Sequence, residues 1–183
     1  MRLVFWLCLF AACFQPVVKE ATKGKTCDYT PIVVHFRGDI DFSPENKLLI
    51  EEACRVWKRT TNGLVNFDVT WDLDYTKGRP DASDRVIAEL ASNELAVIMF
   101  DSAAGGTVLG FTPKGPDIYL VTDRMPKGED FLGVTMHEMG HAAGLHHMTT
   151  AGHLMSANHE PGVYEFDLAD IDNLQRNCLI KSQ

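Results

Sequence analysis

The sequence predicts one α+β domain, and three observations lead to that fold class. Short segments rich in β-branched and aromatic residues recur through the first two thirds of the 183 residues. A long amphipathic helical pattern interrupts them from Pro44 to about Thr60, with apolar residues every three or four positions. Two further helical patterns follow the last strand-like segment. The mixture of these elements predicts a sheet with a few helices beside it.

The composition limits the classes of partner. Hydrophobic residues make up 45% and charged residues 23% of the chain, which is ordinary for a packed globular domain. The formal net charge is −8, and the acidic residues are scattered, as on a solvated surface. Nucleic acid and anionic lipid both require clustered Lys and Arg, so we expect neither as a partner. We expect a monomer.

Residues 1–13 have the pattern of an export signal. One basic residue precedes a short apolar run, and small residues follow it. The run is too short for a membrane-spanning helix, which needs about 20 residues. Its end, Phe10-Ala11-Ala12-Cys13, also resembles a bacterial lipobox, although leucine is usual where Phe10 stands. Simple secretion and a lipid anchor through Cys13 therefore both stay open, and the expected location is extracellular or on the outer surface as a lipoprotein.

The folded domain is expected to span residues 28–183, because residues 14–27 are polar, carry lysines and have the pattern of a tether. Cys27, Cys54 and Cys178 lie outside the signal, and an exported protein meets an oxidising compartment. We favour a disulfide between Cys27 and Cys178 over one between Cys54 and Cys178. A free Cys27 is the third option.

The first half of the domain predicts a strand, a helix and a second strand. The strands are Thr30–Phe36 and Leu64–Trp71, the latter because its apolar residues alternate. Ser43 is a good N-cap ahead of Pro44, and Asn62-Gly63 ends the helix. The stripe of the helix that we expect to be buried consists of Leu49, Ala53, Val56 and Trp57.

The second half predicts short strands and two helices. In order, we expect a polar loop at residues 72–84, a helix-like stretch at residues 83–90, a buried strand at Leu95–Phe100, a loop at residues 101–106, and short strands at Thr107–Thr112 and Asp117–Thr122. A helix then starts near Asp130 or Phe131 and ends at Gly144. After an irregular segment at residues 148–163, a last helix covers Phe166–Gln175, with Asp167 as its cap.

The helix near residue 137 carries the motif H-E-x-x-H-x-x-G-x-x-H. His137 and His141 lie four residues apart, so both imidazoles can reach one ion from the same helix face. Glu138 can lean over that ion without ligating it. Gly144 accepts the left-handed conformation of a sharp exit, which lets His147 return as a third ligand. Three nitrogen ligands and one open position describe a catalytic zinc site rather than a structural one.

The short form of this motif, H-E-x-x-H, also occurs by chance on amphipathic helices with surface histidines. The long form fixes a glycine, a third histidine and their spacing as well, and with it the chain resembles the metzincins, a clan of zinc endopeptidases. Leu154-Met155-Ser156 follows at about the spacing of the metzincin Met-turn. The resemblance therefore implies that Met155 lies beneath the metal.

Within that clan the chain is most similar to the matrixin branch. The similarity lies in Phe100-Asp101, Gly105-Gly106, Val108-Leu109 and Asp170-Ile171. It implies a metzincin-like catalytic domain in which a twisted mixed β-sheet carries an active-site helix, a backing helix and a C-terminal helix.

The sequence departs from the matrixin pattern in three places. Met148 follows the third ligand, where a small hydroxyl residue is usual. Residues 72–123 contain no histidine, so we do not expect the structural zinc that matrixins hold there, and calcium sites are unsupported. The sequence contains no propeptide-type cysteine switch. We therefore expect one catalytic zinc ion as the cofactor.

The resemblance implies zinc-dependent hydrolysis of peptide bonds in a protein or peptide substrate, with Glu138 moving the proton. Substrate is expected to pair with the strand near residues 108–111, and Tyr164 to line the main specificity pocket. The rivals are a catalytically weak metzincin-like module that binds a surface partner, and a zinc hydrolase that acts on something other than protein. Glu138 argues against the first rival, since zinc binding does not need it. Structural or surface roles are expected for His35, His146, His153 and His159.

Overall fold

The computed structural model describes residues 31–73, 94–100, 109–112, 117–121, 127–158, 160–177 and 179–180. Over these residues it has one mixed sheet and three helices, and this α+β fold confirms the predicted class. The elements in chain order are β1 (Ile32–Asp39), α1 (Pro44–Thr60), β2 (Val65–Leu73), β3 (Glu94–Phe100), β4 (Gly110–Phe111), β5 (Ile118–Val121), α2 (Glu129–Ala142) and α3 (Leu168–Arg176). The expected helix-like stretch at residues 83–90 and the loop at residues 101–106 lie outside the described residues.

Within the described ranges the sheet has five strands, in the order β2-β1-β3-β5-β4. The first four strands in that order run parallel, and β4 runs antiparallel to β5 at the edge. Strand β5 is buried along its whole length, as expected for a strand covered on both faces. In β4, Gly110 lies opposite Leu120. Of the predicted strand Thr107–Thr112, Gly110 and Phe111 form the ladder, and residues 107 and 108 lie outside the described residues.

Helix α1 begins and ends where its sequence predicts. The Ser43 hydroxyl accepts a hydrogen bond from the Asn46 N–H at 3.2 Å, and Pro44 occupies the first turn. Asn62 and Gly63 both adopt positive φ angles, of 51° and 78°, which turns the chain directly into β2. The predicted start, stop and turn chemistry of this helix are thereby confirmed.

The buried face of α1 is wider than the predicted stripe. Ala53 and Trp57 are buried as expected, whereas Leu49 and Val56 are only partly buried. Ile50 and Cys54 are buried in addition, because α1 packs against both β2 and α2 and so presents two flanks to neighbours. Simple helical periodicity does not distinguish one packed flank from two.

Trp57 forms the centre of the core beneath α2. Its ring meets those of Phe67 and Phe166 edge to face, with centroids 5.5 and 4.9 Å away. Its indole Nε1 donates a hydrogen bond of 3.2 Å to the Met136 carbonyl oxygen of α2. Trp57 is therefore a core residue that fixes the position of α2 relative to α1.

Cys54 is a free thiol buried in α1, so a disulfide between Cys54 and Cys178 is not formed. The favoured partners, Cys27 and Cys178, lie outside the described residues. Within the part of the chain that the structure describes, no helix is long and apolar enough to cross a membrane.

Candidate metal centre and catalytic cleft

Helix α2 carries the metal motif and is enclosed on most sides. It runs from Glu129 to Ala142, close to the predicted limits, with two acidic residues in its first turn, where the helix dipole favours negative charge. Most of its side chains face the core, which leaves the two motif histidines on its partly open side. The buried residues are Phe131, Gly133, Val134, Thr135, Met136, Glu138, Met139 and Gly140.

The chain reverses directly after α2. Gly144 adopts a φ of 87°, a left-handed conformation that glycine accepts without a steric cost. The Leu145 N–H then donates to the Gly140 carbonyl at 2.9 Å, and the Leu145 side chain is buried. This turn brings His147 back over the helix, as the motif predicts.

The imidazoles of His137, His141 and His147 converge. The Nε2 atom of His147 lies 3.2 Å from Nε2 of His137 and 3.0 Å from Nε2 of His141. One ligand atom from each residue lies within 4.8 Å of the others. For Zn–N bonds of about 2.0–2.1 Å in a tetrahedron, two ligand nitrogens should lie about 3.3 Å apart. The spacing of the three nitrogens therefore fits one zinc ion.

The opposite ring nitrogens fix the tautomers of the two helix histidines. Nδ1 of His137 donates to the Leu154 carbonyl oxygen at 2.7 Å, and Nδ1 of His141 donates to the Leu145 carbonyl oxygen at 2.9 Å. With a proton on each Nδ1, the Nε2 lone pairs point at the shared centre. Burial lowers the pKa of His141, and the coulombic effect of His147 acts in the same direction. A neutral imidazole with a free Nε2 lone pair is the form that zinc requires.

Glu138 lies beside this centre and is almost completely buried, with 4% of its surface exposed. Thr112, directly after β4, donates a hydrogen bond of 2.8 Å from its hydroxyl to Oε2 of Glu138. Burial raises the pKa of the Glu138 carboxyl to about 7, and the Thr112 hydrogen bond acts in the opposite direction. A divalent cation at the three histidines would lower this pKa further through its charge.

Met155 packs against α2 at Gly140, next to the motif residue His141, and its place beneath a metal ion stays what the resemblance implies. It is fully buried, and its carbonyl accepts a hydrogen bond of 2.7 Å from the Met148 N–H. Its sulfur packs so closely on Gly140 that a Cβ at that glycine would lie 2.4 Å away from it. The segment around Met155 therefore packs on α2 so closely that a side chain at residue 140 would displace the Met155 thioether.

Asp170 ties the same segment to α3. Its buried carboxylate accepts hydrogen bonds from the N–H groups of Leu154 at 3.1 Å and Met155 at 3.4 Å. The same carboxylate accepts from the Asp167 N–H at 3.2 Å, within a capping box that confirms Asp167 as the helix cap. This role of Asp170 is not predicted from the sequence, although the D-x-x-D pattern of the capping box is a local signal for part of it.

A cleft of about 580 Å³ opens over the metal centre. One wall is formed by β4 and the residue after it, and the opposite wall by the segment that follows Met155. The lining residues of that opposite wall include Ser156, Asn158, Glu160 and Val163, and His153, just before Met155, also lines the cleft. Tyr164, the predicted pocket residue, is not among the residues that line the cleft, whereas its neighbour Val163 is.

The remaining histidines are dispersed. His35 lies on the sheet, where its ring nitrogens form hydrogen bonds with the Asp68 carboxylate at 2.9 Å and with the Thr70 hydroxyl at 3.2 Å. His146 is exposed beside the third motif histidine. His153 lines the cleft with Nδ1 held by Asp167 at 2.5 Å, and His159 lies outside the described residues.

The mixed sheet, the three converging histidines and the adjacent glutamate define the class of zinc metallopeptidases. A sequence model of the matrixins matches residues 29–177, and the chain belongs to the matrixin family. This is a family of zinc-dependent peptidases, so the protein class, the zinc requirement and the general class of substrate are those predicted. A comparison with individual curated proteins matched none of them.

Proposed function

We propose that the protein is an exported zinc endopeptidase that hydrolyses internal peptide bonds of proteins. His137, His141 and His147 hold the metal, and Glu138 moves the proton. The observation that carries the proposal is the convergence of three Nε2 atoms beside a buried carboxylate, at the base of an open cleft. A centre of purely structural zinc would be closed by a fourth protein ligand, and it would not need the carboxylate.

When bound, zinc supplies a Lewis acid that lowers the pKa of a water molecule and polarises the scissile carbonyl. Glu138 accepts the proton of the attacking water and then delivers it to the nitrogen of the departing amine. Its buried position suits both steps, because a carboxylate shielded from bulk water beside the metal can take a proton from the attacking water and release it to the amine.

Strand β4 is suited to hold an extended substrate. It lies at the edge of the sheet, pairs with β5 on one side and contributes Gly110 to the cleft lining. A peptide added along its other side would gain backbone hydrogen bonds that do not depend on sequence. Side-chain preference would then come from the opposite wall, where Glu160 and Val163 lie.

The proposal is tested with a substrate panel of casein, gelatin and small amide compounds. We expect cleavage of the proteins at internal bonds, loss of activity with a chelator, and recovery when zinc is added back. Binding of zinc without cleavage of a broad peptide library would favour the binding-module alternative. Cleavage restricted to the small amides would favour a hydrolase for substrates other than protein.

Export by residues 1–13 and a lipid anchor through Cys13 remain separate predictions. Labelling with a radioactive fatty acid tests the anchor. Absence of label, or label that is undiminished in Cys13→Ser, would contradict it. Cleavage of the signal without lipidation would indicate that the protein is secreted without a lipid anchor.

A further inference from the structure

Glu138 has two carboxylate oxygens with different surroundings. The Thr112 hydroxyl lies 2.8 Å from Oε2 and 3.3 Å from the Glu138 carbonyl oxygen. An ionised carboxylate can only accept, so the hydroxyl must donate to it. Its single hydrogen goes to Oε2, because that contact is the shorter and the acceptor is charged.

The second oxygen, Oε1, faces the backbone of the edge strand. A Cβ placed on Gly110 would lie 3.0 Å from both Oε1 and Cγ of Glu138, and 3.1 Å from Cγ1 of Val134. Real Cβ atoms seldom approach so closely, so glycine is the residue that lets β4 pass Glu138 at this distance. The two contacts, at Gly110 and at Thr112, leave the carboxylate little freedom to rotate.

We infer that Thr112 is a positioning residue, which holds Oε2 of Glu138 so that Oε1 remains the oxygen that exchanges protons. This inference rests on the proposed function and adds a residue to it. The H-E-x-x-H motif does not contain Thr112, and its hydroxyl touches neither the three histidines nor a reacting atom in the described contacts.

The proton balance is consistent with this assignment. In the first step an O–H bond of water breaks, an Oε1–H bond forms, and the water oxygen bonds to the scissile carbonyl carbon, whose C=O π electrons move to the carbonyl oxygen. Oε2 then has the character of a carbonyl oxygen, which still accepts the Thr112 hydrogen bond. In the second step the Oε1–H bond breaks, an N–H bond forms, the C=O bond is restored, and the C–N bond breaks so that the amine departs. The hydrogen bond from Thr112 therefore persists through the cycle, and the orientation of the carboxylate with it.

The location of Thr112 links this orientation to substrate docking. Thr112 follows Gly110–Phe111, which form the edge strand β4 proposed to pair with substrate. The same short segment would thus hold the peptide and the carboxylate that acts on it. A shift of about 1 Å between such groups can cost on the order of 10²-fold in rate.

The test compares Thr112→Val, which has nearly the same shape but no hydroxyl, with Thr112→Ser, which keeps the hydroxyl. Thr112→Val should lower kcat about 10- to 100-fold, as expected for loss of an outer hydrogen-bond partner, with KM changed less than about 3-fold. Thr112→Ser should stay within about 3-fold of wild type. Zinc content is measured for every variant and should be unchanged.

Thr135→Val is the matched control. Thr135 is also a buried threonine near the centre, but its hydroxyl donates to the Phe131 carbonyl at 2.9 Å and does not contact Glu138 in the described bonds. It should keep the wild-type kcat. Equal rates for Thr112→Val and Thr135→Val, or a loss in Thr112→Val that appears only in KM, would overturn the inference.

Crystal structures of the metal-free variants give a second readout that does not depend on activity. In Thr112→Ser the Glu138 carboxylate should keep its orientation, whereas in Thr112→Val it should rotate or occupy several conformers. An unchanged, single Glu138 conformer in Thr112→Val would contradict the positioning role. If wild type cleaves no peptide at all, the proposed function fails, and these crystals still decide whether Thr112 orients Glu138.

Discussion

Asp170→Ala should destabilise the protein and weaken its metal centre together. The Asp170 carboxylate accepts three backbone N–H groups, from Leu154, Met155 and Asp167, at 3.1, 3.4 and 3.2 Å. Hydrogen bonds to a charged group contribute about 1.5–3 kcal/mol each. If the long bond to Met155 is given no weight, the other two bonds imply that alanine lowers the free energy of unfolding by about 3 kcal/mol or more.

Loss of the Asp170 carboxylate should also weaken zinc binding, because the backbone at Leu154 connects Asp170 to His137. Asp170 holds the Leu154 N–H, and the Leu154 carbonyl accepts the Nδ1 hydrogen bond of His137 at 2.7 Å. Loss of an outer partner of a metal-binding histidine typically costs 10- to 100-fold in affinity, and an indirect disturbance should cost about 10-fold. Zinc affinity is measured by competition with a chelating dye at a temperature where the variant is folded.

Urea unfolding of Asp170→Ala measures the stability change, and a thermal scan should show Tm lowered by about 6–12 °C for a domain of this size. The control is Asp172→Ala, also on α3, where the carboxylate is half exposed and pairs with Arg176. An exposed pair of this kind contributes about 0–1 kcal/mol. If both variants unfold at the same urea concentration, the reasoning about the buried acceptor is refuted.

Two further predictions concern Cys54 and Gly144. Burial raises the pKa of the Cys54 thiol from 9.0 to about 12. Between these two pH values the thiol therefore keeps its proton in the folded state and loses it in the unfolded state. Stability should thus fall between pH 9 and 12, by about 4 kcal/mol at the upper limit, and Cys54→Ala should lack this component in urea unfolding. Gly144→Ala forces alanine to a φ of 87°, which should lower the free energy of unfolding by about 1–2 kcal/mol. It should also lower zinc affinity, because it displaces His147. A zinc affinity equal to that of wild type would count against this prediction.

Much of the metal centre could be predicted because its residues are close in sequence. The spacing of His137 and His141 follows from the period of a helix, and the return of His147 follows from the left-handed turn at Gly144. The limits of helix α1 could also be predicted, since Ser43 and Asn62-Gly63 carry local signals for its two ends. Such signals act within a few residues and need no knowledge of the tertiary structure.

The contacts that the sequence did not predict join residues distant along the chain. Thr112 meets Glu138 across 26 positions, and it directly follows a strand of two described residues, which is too short to show a periodicity. Tyr164 and Val163 are neighbours, and only the packing of their segment decides which one faces the cleft. The order of the parallel strands likewise depends on pairings between distant segments, which no local pattern determines.

The most direct test of the account compares wild type with Glu138→Gln at matched zinc content. Glutamine keeps the shape of the side chain and an oxygen that can accept from Thr112, but it cannot take up the proton of water. We predict that the variant retains one zinc ion per chain and loses about 10²- to 10⁴-fold in kcat for a protein substrate. A zinc-loaded Glu138→Gln protein that cleaves at the wild-type rate would contradict the account, because proton transfer would then not depend on Glu138.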